Sequence, residues 1–107
     1  MTIRGTKISM TRGDSETVTV TCSVPFAAGD TVTLTMREDV ESEIAMQKVV
    51  TDFGAAGEAV IVIEPEDTEA LDFGDYVYDL ELRRADGTVT TLVKPSVFTL
   101  TEEVTYG

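Results

Sequence analysis

An antiparallel β-sandwich of seven or eight strands, with at most one short helical turn, is the fold the sequence predicts. Apolar and polar residues alternate in several separate runs. The plainest is Tyr76 to Arg83, where Tyr76, Tyr78, Leu80 and Leu82 fall on one side and Val77, Asp79, Glu81 and Arg83 on the other. Threonine alternates with aliphatic residues in two further runs, Thr17 to Val24 and Thr31 to Arg37, as half-buried strands require. Gly, Pro and Asp punctuate these runs at the short spacing of consecutive strands.

Taken in order, Ile3 to Met10 is the expected first strand and Thr17 to Val24 the second, with Val18, Val20, Cys22 and Val24 on its apolar side. Between them, Arg12-Gly13-Asp14 suits a strand-joining turn; backbone geometry accounts for that tripeptide without an adhesive role. Pro25 to Asp30 is a loop, and Thr31 to Arg37 is a strand that turns Val32, Leu34 and Met36 inward. After a polar break at Asp39 to Glu43, strands are expected at Ile44 to Thr51 and Ala59 to Glu64, with a hairpin-like turn at Gly54 to Gly57. The run Ala59-Val60-Ile61-Val62-Ile63 has no alternation, so both of its faces are expected to be covered, by the domain's own layers or by another copy. Glu66 to Leu71 suits a single helical turn crossing between sheets.

The last third closes the fold. Asp86-Gly87 between two alternating runs suits a type I turn followed by a left-handed residue, which sets Arg84 opposite Thr88. Counting back from that pair places Leu80 opposite Leu92, two apolar residues on one face, so turn chemistry and hydrophobic pattern agree.

The segments from Pro65 (PEDTEALDFGDYVYDLELRRADGTVTTL) and from Pro95 (PSVFTLTEEVT) carry a family resemblance. They resemble the C-terminal half of the small immunoglobulin-like module found at the N-terminus of phage baseplate upper proteins and as stand-alone prophage structural proteins. Ile8 to Val24, with Arg12-Gly13-Asp14 at its turn, is similar to the N-terminal half. The resemblance implies an immunoglobulin-like strand topology and a non-enzymatic structural role in a virion, in the tail or baseplate region. It also implies localisation in the virion, with the bacterial host cytoplasm as the place of synthesis before assembly. The matching motifs are turns and strand ends.

Length and composition bound the alternatives. A chain of 107 residues is expected to form one domain, residues 1–107, with a single core. Its N-terminal residues are polar and lack the apolar stretch of a signal peptide, and no run approaches the ~18 apolar residues of a membrane helix. A membrane partner is therefore not expected. The net charge of −12 is unevenly spread: Arg4, Lys7 and Arg12 precede the first acid, Asp14, whereas Val49 to Leu82 holds ten acids and no Lys or Arg. Such a surface repels phosphate backbones, so nucleic acid is not an expected partner. The lone Cys22 has no partner for an internal disulfide and is expected to be a small buried hydrophobe.

Catalytic signatures are missing. There is no histidine, so a Ser-His-Asp relay and imidazole metal ligands are absent, and one cysteine cannot form a thiolate zinc site. No serine sits in a G-x-S-x-G context and no lysine in an S-x-x-K motif. The paired acids Glu64 with Glu66 and Asp72 with Asp75 read as solvated turns, because so small a domain offers no deep sugar cleft. Asp67, Glu69, Asp72 and Asp75 are oxygen donors whose spacing misses the calcium-loop pattern. The aromatic residues read as core and inter-strand packing.

No enzyme activity, cofactor, metal or small-molecule substrate is expected. The expected partners are other virion proteins and further copies of this chain. The candidate contact residues are Ala59, Val60, Ile61, Val62 and Ile63 on the non-alternating strand and Glu66, Asp67, Glu69, Asp72 and Asp75 on the acidic segment. A bacterial immunoglobulin-like adhesion domain or carbohydrate-binding module is the alternative, since the architecture hosts many unrelated functions.

Overall fold

A computed structural model describes residues 7–54 and 57–102, and among them the chain forms seven strands and one helical turn. The strands are β1 Ile8–Thr11, β2 Glu16–Val20, β3 Thr31–Arg37, β4 Ile44–Val50, β5 Ala59–Ile63, β6 Gly74–Arg83 and β7 Val89–Thr101; the turn α1 is Pro65–Thr68. Ile3 to Thr6, expected as the start of the first strand, and the aromatic residue Tyr106 lie outside the described residues. The strands build a sandwich-like pair of sheets, one five-stranded in the order β1-β7-β6-β3-β4 and one two-stranded, β2-β5.

The alternations fill the space between the sheets. β3 contributes Val32, Leu34 and Met36, β6 contributes Tyr76, Tyr78, Leu80 and Leu82, and β1, β4 and β7 add Ile8, Met10, Met46, Phe98 and Leu100. Val18 and Val20 of β2 and Ala59, Ile61 and Ile63 of β5 close the core from the other side. Tyr78 meets Phe98 edge-to-face at 5.8 Å, the geometry in which a ring's positive edge contacts a negative face.

Several expectations are corrected. The second strand ends at Val20, Cys22 is half-buried against the core, and Val24 is 62% exposed. The chain bends after Val20 so that Phe26 enters the core in place of Val24: its N–H donates to the Gly57 carbonyl at 3.1 Å and its ring packs 5.3 Å from Phe53. β4 and β5 are not a hairpin. They lie in different sheets, and β5 pairs antiparallel with β2 from Glu16–Ile63 to Val20–Ala59, so the intervening turn crosses between layers. β5 does alternate in burial, with Val60 and Val62 open, because Val and Ile are equally apolar and composition cannot reveal which side is covered. The sandwich is not wholly antiparallel, since β1 runs parallel to the end of β7 from Ile8–Phe98 to Thr11–Thr101.

The β6–β7 turn is as the sequence predicts: the Arg84 N–H donates to the Thr88 carbonyl at 2.8 Å and Gly87 has φ 91°. The register counted from it holds through Arg83–Val89, Leu82–Thr90 and Glu81–Thr91, then shifts so that Leu80 lies opposite Val93 and Tyr78 opposite Ser96. Leu92 is thus an extra residue in β7, and a second extra residue falls at Lys94-Pro95. Proline has no N–H to give to a ladder, so Pro95 is tolerated at such a bulge within one continuous strand.

Candidate protein-contact surfaces

Contact residues must lie outside the core, and that divides the β5 candidates. Ala59, Ile61 and Ile63 are fully buried and pack inside the sandwich, so the expectation that they meet a partner is corrected. Val60 and Val62 remain, 47% and 44% exposed, and on the same outer face they stand opposite Thr19 and Thr17 of β2. The patch is uncharged and β-branched.

The acidic candidates lie on the connection between β5 and β6. Pro65 opens α1, where its missing N–H costs nothing, and Asp67 accepts the Glu64 N–H at 2.7 Å, satisfying an amide that the first turn leaves over. Asp67 also takes the Lys48 ammonium at 2.8 Å, which ties α1 to β4. Burial is the largest influence on Asp67 and pushes its pKa up, but the Lys48 and Glu64 hydrogen bonds with the Lys48 charge outweigh it and hold the carboxyl below its ordinary value. Thr68 is fully buried and accepts the Gly13 N–H at 2.8 Å, while Arg12 donates to the Leu71 carbonyl at 3.1 Å and lies 4.0 Å from the centre of the Phe73 ring. The Arg12-Gly13-Asp14 turn therefore anchors the acidic connection. Glu66, Glu69, Asp72 and Asp75 stay exposed; Asp75 accepts the Thr99 hydroxyl at 2.7 Å. The four oxygen donors at 67, 69, 72 and 75 do not converge, and among the described residues no group of three or more acids, Cys or His could hold a metal ion.

Strand direction gathers further charge at this pole. β3 runs antiparallel to β6, so the β3–β4 loop lies beside the start of β6, and Glu38, Glu41, Glu43 and Asp72 border a shallow depression floored by Ala45, Leu71 and Tyr76. The Tyr76 hydroxyl donates to the Asp72 carbonyl at 2.9 Å; burial first, then the charges of Asp72 and Glu38, raise its pKa.

The opposite pole holds a cluster that sequence reasoning missed. Asp30 is buried and accepts the Ala27 N–H at 3.0 Å, the Ala85 N–H at 3.1 Å and Arg84 Nη1 at 2.7 Å. Arg84 reaches on to the Val24 and Pro25 carbonyls at 3.0 and 3.3 Å. The Ala27 amide is the foremost cause of the lowered Asp30 pKa, with Arg84 and Ala85 adding to it against burial. The only signal for this pair is the register Thr31–Arg83, which puts Asp30 beside Arg84 one step further on. Seeing it requires knowing that β3 pairs with β6.

The outer face of the five-stranded sheet was also missed. It forms a groove of about 650 Å³ whose floor is the threonine row of β3 and the outward row of β6. No helix among the described residues is long and apolar enough to cross a membrane. No protein family and no curated protein matches the chain.

Proposed function

We propose that the chain is a non-enzymatic structural component of a phage or prophage particle, in the tail or baseplate region, with an immunoglobulin-like topology. The observation that carries the topology is the corner at Tyr76. Immunoglobulin-like sandwiches have a tyrosine near the start of the sixth strand whose hydroxyl bonds to backbone a few residues upstream. Tyr76 lies at the third residue of β6 and donates to the carbonyl of Asp72, four residues back, after a connection that crosses between sheets. Two residues on, where antibody domains carry the second cysteine of their inter-sheet disulfide, stands Tyr78 packed on Phe98. The pair lies within the five-stranded sheet, where both rings are fully buried in the core.

The particle role rests on the resemblance of the Pro65 and Pro95 segments and on surfaces suited to protein contact. Val60 and Val62 offer an uncharged face, and Glu66, Glu69, Asp72 and Asp75 an exposed acidic one. Contact there is by packing and charge, with other virion proteins as partners. Induction of the prophage in the source strain, followed by mass spectrometry of purified particles, is expected to find this chain at several copies per tail. Absence from intact particles, together with binding of the isolated protein to a host glycan, would favour the adhesion or carbohydrate-binding reading.

A further inference from the structure

We infer that the outer face of the five-stranded sheet is a self-association surface, and that its occupant is a second copy of this chain related by a two-fold axis parallel to the strands. The inference does not depend on the particle role.

Charge balance distinguishes this face. In a chain of net charge −12, most surface that a second copy could touch repels it. Within the groove Arg37 and Arg83 offset Asp79 and Glu81, and none of the four belongs to the ion pairs described, Lys48–Asp67 and Arg84–Asp30; Arg37 also donates to the Ser42 carbonyl at 2.6 Å, and Asp75, on the same outward row of β6, lies beyond the groove. The face is also partly apolar: Val49 is 57% exposed, and Val40, Val77 and Pro95 line the same groove. The β2–β5 patch is apolar too, but two strands about 4.8 Å apart present too narrow a strip to bury against a flat partner.

Register selects the arrangement. Across β3 and β6, Thr35 stands level with Asp79, Thr33 with Glu81, Thr31 with Arg83 and Arg37 with Val77. A two-fold axis along the strands between β3 and β6 lays β6 of one copy over β3 of the other at the same levels. Each carboxylate then faces a threonine hydroxyl able to donate to it, and each arginine faces Thr or Val. With sheets stacked about 10 Å apart, the backbone positions that carry like carboxylates lie on the order of 11 Å from one another, offset by one strand so that no two like carboxylates face each other directly. An axis across the strands over β6 would instead set Glu81 against Asp79, with like charges facing. Four strands, β4, β3, β6 and β7, and about seven residues of length give roughly 450 Å² per copy, or roughly 900 Å² in all, at the weak end of specific interfaces; β1 lies level with Gly74 to Tyr76, beyond this stretch. The dimer is therefore concentration-dependent, and it strengthens with salt because salt screens the mutual repulsion of two acidic copies while the groove lining contributes no net charge.

Sedimentation velocity of the full chain from micromolar to millimolar concentration, at about 0.05 M and about 0.5 M salt, tests this. Dimer formation favoured by the higher salt is expected. Val49→Glu, at an exposed position that leaves the core intact, should weaken association at least about tenfold, while Val60→Glu on the opposite sheet should leave it within about twofold. Hydrogen exchange of the wild-type protein should slow with concentration at 31–37 and 77–83 and not at 59–63. A wild-type monomer throughout at both salts, association that weakens with salt, or loss on Val60→Glu alone would overturn the inference. Loss of the dimer would leave incorporation into particles to be decided separately by mass spectrometry.

Discussion

Gly29 and Gly87 form a matched pair that separates backbone strain from steric overlap. Their φ angles are 92° and 91°, in the region L-residues avoid, so alanine at either site should cost about 1–2 kcal/mol in strain. The space around them differs. A Cβ at Gly87 meets nothing within 4 Å, whereas a Cβ at Gly29 would stand 2.8 Å from the Ala85 Cβ. Carbon atoms pack at about 3.5–4.0 Å, so the second substitution must also displace the β6–β7 turn, a further ~1–3 kcal/mol of the kind overpacking costs. The expected losses are thus about 1–2 kcal/mol for Gly87→Ala and about 2–5 kcal/mol for Gly29→Ala, the sum of the two contributions. Urea denaturation of both variants, read by far-ultraviolet circular dichroism, measures them. The decisive step is Gly29→Ala in an Ala85→Gly background, where removal of the opposing methyl should recover ~1–3 kcal/mol of coupling. Equal losses for the two glycines, or a double variant whose effects simply add, would refute the steric reasoning and the approach of the Asp30 loop to the turn.

Leu80 is fully buried, so Leu80→Ala should cost about 2–5 kcal/mol, and Leu92→Ala, half-buried at the bulge, clearly less in the same denaturation experiment. Tyr76→Phe removes one hydrogen bond at the corner; because Asp72 is exposed and water can replace the donor, the expected loss is about 0.5–1.5 kcal/mol, and no loss would discount the corner. The Asp30 carboxyl has a folded-state pKa below its unfolded one, so its stabilisation is complete above the unfolded value of about 3.9 and disappears as pH falls through the folded one. Asp30→Asn should accordingly be less stable than wild type near neutrality, with the gap narrowing below about pH 4; a gap independent of pH would show that the ion pair is not what Asp30 contributes.

What the sequence determines by itself is local. Strict alternation puts Val32, Leu34, Met36, Tyr76, Tyr78, Leu80 and Leu82 inside, because a strand's period of two leaves no other face for them. Asp86-Gly87 sets its turn because the left-handed conformation suits glycine, whereas the helical turn expected at Glu66 to Leu71 is found at Pro65–Thr68, one residue earlier at its start, because proline's fixed φ and missing N–H suit a first helical position. What only the tertiary structure decides is every relation between distant segments. The run 59–63 is apolar at each position, so its partner β2, and not its composition, selects Ala59, Ile61 and Ile63 for the core and leaves Val60 and Val62 outside. Leu92 is displaced from Leu80 by bulges that turn geometry at Gly87 cannot foresee. Asp30 finds Arg84, and Lys48 finds Asp67, only through strand pairing and the crossing of the chain between sheets. The threonine and acidic rows of β3 and β6 likewise read as two solvated strand faces until hydrogen bonding sets them side by side, Thr33 against Glu81 and Thr35 against Asp79.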